Sequence, residues 1–443
     1  MTAVTFLVAI IFTVIALRSK PGMAISMVIA SGLLWPVYLR VPIGLMQMSA
    51  PRIVALALLA QYLMSPGKRR FKLNRLDQIV IFLFVWTVLA NIIAGAPFRT
   101  ISTQIGSSMD TVLMYFVARI CIQTRKDLID MVMPLSLVVI YMGLMGILEA
   151  VTYDSPYQQL IRYHQWMWIE KEPELRLGLL RAKVSTSHYI YFGMAMLVLV
   201  GFVASLRGIA RKHVRSWKIS YAALFVGALG IFSSLSSGPI AGAFIFVVLT
   251  AYYYQPALIR PSLWGFIAMC LVVEVASNRH FYELVDYFAM SGTTAYYRTR
   301  LLEVAIANFG EYALAGTGGV RPDHWGMQID GRGHVDLVNN YVLVAVESGF
   351  LGLILFFSIQ IGAIRRAISI YRHGDKAAKI YGFTIGAVII AVMISSISVG
   401  LFNPALMISY MLYGAVHIRK TALEATSPER KSVRNENQSL SVT

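Results

Sequence analysis

Runs of apolar residues recur along the whole chain, and short polar segments separate them. The runs are about 20 residues long, the length that an α-helix needs to cross the hydrocarbon core of a bilayer. They lack the alternating ten-residue pattern of membrane β-strands. We therefore predict an all-α fold, a polytopic membrane helical bundle of about 13 transmembrane helices.

Two polar segments are longer than the rest, at about 152–183 and 278–336. They predict two larger periplasmic loops within a single transmembrane domain that covers residues 1–418. From Arg419 onward the chain is polar and has no apolar run. Such a composition is typical of disorder, so residues 419–443 are predicted to form a disordered cytoplasmic tail.

Composition excludes a soluble globular protein, because 57% of the residues are hydrophobic and only 14% are charged. The net charge of +17 does not indicate nucleic-acid binding, since the basic residues lie in short loops between apolar runs rather than on one polar surface. The two cysteines, Cys121 and Cys270, lie in separate apolar runs. They predict neither a disulfide framework nor a metal site.

Basic loops set the orientation of the chain. The segments Lys68–Arg75, Arg207–Lys218 and Arg365–Lys379 are the densest, and the positive-inside rule places them in the cytoplasm. The first apolar run carries its positive residues after it, so we expect a retained helix rather than a signal peptide. The chain is thus predicted to be a multi-pass protein with a periplasmic N-terminus and a cytoplasmic C-terminus.

This topology assigns about 25 of the 39 Lys and Arg residues to the inner side. Most of the outer ones fall in the two long loops, which escape the charge rule. Arginine concentrated at the outer face suggests an anionic ligand there.

Four segments, in this order, resemble the bacterial O-antigen ligase and polysaccharide polymerase superfamily: RLGLLRAKVSTSHYIYFGMAM, FSSLSSGPIAGAFIF, YYRTRLLEVAIANFGEYALAGTGG and VDLVNNYVLVAVESGFLGLILF. The resemblance covers roughly Arg176–Phe357. It implies a metal-independent, inverting glycosyltransferase of the bacterial inner (cytoplasmic) membrane, with no cofactor. Such enzymes transfer a glycan from undecaprenyl pyrophosphate to an acceptor glycan at the periplasmic face. Membrane lipids and other polysaccharide assembly proteins are the further partners implied, and nucleic acid is not.

The chain departs from the family at one position. Many members, the ligases in particular, have a His-Asn pair at the start of the helix after the large loop, and this chain has Asn339-Asn340. The departure favours a polymerase of exopolysaccharide or O-antigen repeats. The alternatives are an O-antigen ligase acting on lipid A-core and a lipid-linked sugar transporter. A transporter is expected to show two related halves, and we find no internal repeat; a non-catalytic scaffold remains a third class.

Transfer from a pyrophosphate requires mainly that the departing phosphates be held and neutralised. Arginine suits this task because its planar fork binds phosphate oxygens bidentately and keeps its charge. The candidates are Arg176, Arg181, Arg298 and Arg300. On a helix, Arg298 and Arg300 point to nearly opposite faces, so only one of them is expected to face the substrate.

A general base would assist the acceptor hydroxyl, and the candidates are His334, Asp336 and Glu347. We favour His334, because it lies just before the helix where the family histidine occurs and because histidine is the side chain best suited to proton transfer at neutral pH. Glu347 lies in an apolar run, so it is either functional or paired with a buried group such as Arg119. The acidic and histidine residues of the outer loops do not show the paired spacing of a metal site.

Overall fold

The chain folds into a helical bundle with two short β-hairpins. A computed structural model describes residues 1–44, 46–65, 72–164, 173–210, 214–276 and 292–418. In chain order the helices are α1 Thr2–Arg18, α2 Pro21–Leu33, α3 Ala50–Leu63, α4 Arg75–Ile93, α5 Phe98–Cys121, α6 Arg125–Thr152, α7 Gln158–Ile161, α8 Tyr189–Ala210, α9 Val214–Ser233, α10 Ser237–Tyr254, α11 Ile259–Ala276, α12 Gly292–Ala307, α13 His324–Ile329, α14 Asn340–His373, α15 Lys376–Ser395 and α16 Asn403–Ala415. The antiparallel hairpins are β1 Val41–Ile43 with β2 Met46–Met48, and β3 Leu175–Arg176 with β4 Leu179–Leu180.

Within the described ranges, eight helical segments have the length and apolar composition to cross a membrane. They are α4, α6, α8, α9, α10, α11, α14 and α15. Helices α1, α2 and α3 are apolar but shorter. The prediction of an all-α membrane protein is therefore confirmed, whereas the count of about 13 crossings stays a prediction.

Helix α8 lies at the centre of the bundle, and nearly all of its residues are buried. Its glycines allow close packing: a Cβ on Gly193 would collide with Pro239, and one on Gly201 would collide with Val388. In a membrane the hydrophobic effect does not drive helices together, so they associate through close packing, which small residues allow. Helix α11 is the opposite case, because none of its residues is buried.

Hydrogen bonds between helix ends define two ends of the bundle. At one end, which we call the cavity end, α14 begins beside the end of α15, where Asn340 N donates to Ser396 O at 2.9 Å. The start of α10 joins them, since Ser395 Oγ donates to Gly238 O at 3.2 Å. At the far end, Arg125 at the start of α6 pairs with Asp375 before α15 at 2.8 Å.

A buried polar cluster closes the far end. Asp77 of α4 is fully buried, and its Oδ1 accepts hydrogen bonds from Tyr115 Oη at 2.6 Å and from Arg119 Nε at 3.2 Å. His417 Nε2 lies 3.2 Å from Tyr115 Oη. The pairing of Arg119 with Asp77 corrects the alternative in which Arg119 neutralises Glu347. A buried charge requires such a partner, because desolvation is otherwise costly.

The structure describes parts of both long polar segments. The first contains α7 and the β3–β4 hairpin, and the second contains α12 and α13. Residues 165–172, 277–291 and 419–443 lie outside the described residues, and so do the predicted headgroup tryptophans Trp166 and Trp168 and the predicted disordered tail.

Candidate functional site

A cavity of about 730 Å³ opens at the cavity end of the bundle. Its lining comes from segments far apart in sequence, namely residues 174–190, the start of α10 at 236–238, α12, the loop 330–338 and Val399. Both long polar segments therefore contribute to one site. The size suits a ligand the size of a sugar phosphate rather than a single ion.

Three of the four predicted arginines line this cavity: Arg176, Arg181 and Arg298. Arg176 lies in β3, Arg181 directly follows β4, and Arg298 comes from α12. The arginines thus converge from the two segments in which the sequence concentrates positive charge. Arginine clusters of this kind favour a phosphate or carboxylate ligand.

The turn between α9 and α10 anchors all three arginine side chains. Arg176 Nη1 donates to Leu235 O at 2.9 Å, Arg181 Nη2 to Ser236 Oγ at 2.9 Å, and Arg298 Nη1 to Ser237 Oγ at 3.3 Å. Leu235 has a positive φ of 45°, a conformation that is costly for a residue with a branched side chain. The turn has no charged residue, so the charge pattern did not predict it, and its only signal in the sequence is the serine-rich run SSLSSG.

Arg181 is held more firmly than the other two. Its Nη1 donates to Glu174 Oε1 at 2.5 Å, and its guanidinium carbon lies 3.3 Å from the centre of the Tyr189 ring. The residue is only 7% exposed. A carboxylate and an aromatic face together fix the plane of the guanidinium, so Arg181 is a preorganised part of the cavity wall.

Arg300 does not line the cavity. Its Nη1 donates to Glu303 Oε2 at 2.8 Å and its Nε to Gln328 O at 3.3 Å, and its side chain is 42% exposed. Arg298 and Arg300 are two residues apart on α12, so their side chains leave the helix on nearly opposite sides.

Asp336 lines the cavity on the side of α12. Its main chain is bound twice by Tyr297: Asp336 N donates to Tyr297 Oη at 2.7 Å, and Tyr297 Oη donates to Asp336 O at 3.2 Å. Arg332 lies over the Tyr297 ring, 5.4 Å from its centre, and pairs with Asp330. These contacts attach the loop 330–338 to the helix that carries Arg298.

Asp336 is an exposed residue of the cavity lining. Desolvation raises its pKa above the ordinary value, and Arg321, Arg332 and His334 oppose the rise. A carboxylate in that environment accepts a proton more readily than a free aspartate. Such a carboxyl can accept a proton only at a pH above its raised pKa.

His334, the favoured base candidate, is exposed and does not line the cavity. It lies near enough to Asp336 to lower the pKa of that carboxyl. His188, in contrast, lines the cavity and is buried. Burial, followed by the charges of Arg181 and Lys183, lowers the pKa of His188 to about 3, so its imidazole is neutral.

Glu347 also lies away from the cavity. Gln104 Nε2 of α5 donates to its Oε2 at 3.5 Å, and its main-chain oxygen accepts from Asn91 of α4 at the same distance. Two residues later, α14 is broken at Gly349, which has a φ of 69°. Glu347 therefore belongs to the packing of α14 against α4 and α5.

The Asn339-Asn340 pair serves the backbone. Asn339 caps α14, because its Oδ1 accepts from Tyr341 N at 2.9 Å and from Val342 N at 3.2 Å. Asn340 Oδ1 accepts from Leu401 N at 2.8 Å and thereby ties α14 to the segment before α16. Neither residue is among those that line the cavity.

The AGTGG glycines form a tight turn against α14. Gly316, Gly318 and Gly319 all have positive φ, and Thr317 N donates to Val346 O at 2.8 Å. The turn does not line the cavity. Over the described part of the chain, no three His, Cys, Asp or Glu side chains come together as metal ligands would.

No protein-family model matches this chain, and no curated protein matches it.

Proposed function

We propose that this protein is a bacterial polysaccharide polymerase. It would act as an inverting glycosyltransferase that moves glycan from undecaprenyl pyrophosphate to an acceptor sugar at the periplasmic face of the inner membrane. The observation that carries the proposal is the convergence of Arg176, Arg181 and Arg298 with Asp336 in one cavity at an end of a membrane bundle.

The chemistry follows from the two sides of the cavity. The arginines would hold the pyrophosphate and stabilise the negative charge that grows on it as the bond to the anomeric carbon breaks. Asp336 would accept the proton of the acceptor hydroxyl while its oxygen forms the new bond to that carbon. The electron pair of the broken bond leaves on undecaprenyl pyrophosphate. Attack opposite the leaving group inverts the anomeric centre.

Asp336 replaces His334 as the base in this proposal. Of the three candidate bases, Asp336 alone lines the cavity with the arginines. The side chain of His334 is exposed outside the lining, and Glu347 packs between helices. Arg300 likewise has no part in the proposed reaction, since it pairs with Glu303.

A transfer assay with purified protein and a lipid-linked repeat unit tests the proposal. Glycan that lengthens without ATP, and that fails to lengthen with Asp336→Asn, supports the polymerase. Transfer to lipid A-core without chain growth would identify a ligase. Movement of the lipid between leaflets without any new glycosidic bond would identify a transporter and overturn the proposal.

A further inference from the structure

Tyr297 of α12 hydrogen-bonds the loop that carries Asp336, beside the apolar packing of Val335 and Leu337 of that loop. Its hydroxyl accepts from Asp336 N at 2.7 Å and donates to Asp336 O at 3.2 Å. One hydroxyl thus satisfies both main-chain polar groups of one residue. These two hydrogen bonds to the backbone fix where Asp336 lies. A hydrogen bond to its carboxylate would instead compete with a substrate.

The next residue on α12 is Arg298, which faces the start of α10. Because Tyr297 and Arg298 are consecutive residues, the position of the Asp336 main chain is tied to that of Arg298. The loop itself is irregular, with glycine at 331 and 333. Its Val335 is buried, and Val335 N donates to Asp323 Oδ1 at 3.2 Å. Arg332, lying over the Tyr297 ring and paired with Asp330, adds a further attachment nearer Asp336.

We propose that Tyr297 is a positioning residue, whose hydroxyl holds the 330–338 loop against α12 so that the Asp336 carboxylate faces the cavity that Arg298 also lines. The proposal rests on the proposed function, in which Asp336 is the base. A base acts only when it is held within hydrogen-bond reach of the proton it removes, and a displacement of about 1 Å can cost a hundredfold in rate.

The groups that face Asp336 come from every element around it. Arg321, Arg332 and His334 come from the segment between α12 and α14. Tyr297 comes from α12, and Tyr191 comes from α8. Burial raises the pKa of Tyr297, so its hydroxyl keeps the proton it donates. If the loop detaches, the Asp336 carboxyl gains water, and its pKa falls toward the ordinary aspartate value of about 3.9.

The test compares Tyr297→Phe with Tyr312→Phe in the lipid-linked transfer assay. Tyr312 is a matched control because its hydroxyl also donates to a main-chain oxygen, Ala305 O at 2.8 Å, but Tyr312 does not line the cavity. At equal amounts of folded protein, Tyr297→Phe should lower kcat about tenfold with little change in KM for the lipid-linked donor. It should also move the acid limb of the pH profile to lower pH. Tyr312→Phe should change neither quantity.

A double variant separates positioning from a general structural effect. Asp336→Asn should lower kcat by about two to four orders of magnitude and abolish the acid limb. Adding Tyr297→Phe to Asp336→Asn should cost little more, because Tyr297 acts through Asp336. A full tenfold further loss, or a Tyr297→Phe profile equal to that of Tyr312→Phe, would overturn the proposal for Tyr297. If Asp336→Asn retained full activity, the proposed base would fail, and the positioning proposal with it.

Discussion

Replacement of Arg298 by alanine is the most direct test of the proposed role of the cavity arginines, because the same helix, α12, carries a control arginine outside the cavity. Arg298 lines the cavity and bonds Ser237, whereas Arg300, two residues away, lies outside and pairs with Glu303. Arg298→Ala and the control variant Arg300→Ala each remove one guanidinium from the same helix. A loss of activity specific to Arg298→Ala therefore cannot come from the net charge or the helix propensity of α12.

The expected magnitude follows from the role of the group. Removing one preorganised donor from a developing negative charge costs about 10²–10³ in turnover, or roughly 2.7–4 kcal/mol. Arg176 and Arg181 keep their own anchors at Leu235 and Ser236, so Arg298→Ala should reduce the rate without abolishing it. Arg298→Lys should recover activity only in part, because a point charge lacks the bidentate fork.

The assay measures kcat and KM for the lipid-linked donor, with polymer length followed in parallel, at equal amounts of folded protein in detergent. Arg300→Ala should keep kcat unchanged, since an exposed ion pair contributes little. Equal turnover in Arg298→Ala and Arg300→Ala would refute the assignment of Arg298 to the pyrophosphate.

Three further predictions concern topology, metal and stability. A cysteine introduced as Gln158→Cys should react with a membrane-impermeant thiol reagent in cells with an exposed inner membrane, and His373→Cys should not; the reverse labelling would invert the orientation. Transfer activity should survive a strong chelator, because arginine supplies the positive charge, and loss with rescue by a divalent ion would contradict this. Arg52→Ala should lower stability in detergent by about 3–5 kcal/mol, because it leaves Asp110 without its bidentate partner at 2.5 and 2.7 Å; a thermal unfolding midpoint equal to the wild type would disprove it.

The sequence predicted the helical class because an apolar run of about 20 residues in lipid satisfies its backbone hydrogen bonds by forming an α-helix. It also predicted that Arg298 and Arg300 diverge, since the period of a helix fixes that relation. The choice between them was out of reach. It depends on Ser237, which lies 61 residues earlier and is brought near only by the packing of α10.

Which candidate base lines the cavity was out of reach for a related reason. His334 and Asp336 lie two residues apart in a loop with no periodicity, so no pattern tells which of them reaches the cavity. Asp336 lines it, and Tyr297 binds the main chain of Asp336. Glu347 illustrates the converse, because its place in an apolar run does signal an unusual environment, yet that environment is Gln104 and Asn91 rather than a substrate cavity.

The turn at Leu235–Ser237 is a shared anchoring site for the side chains of the three arginines. Each guanidinium bonds to a successive residue of that turn, so the distances among them are set by three neighbouring peptide units rather than by the long segments that deliver them. Insertions or sequence drift within those segments would leave the spacing intact as long as the arginines still reach the turn. Under the proposed function, the turn would set the spacing of the charges that hold a diphosphate, and changing its length by one residue would alter the spacing of all three charges at once.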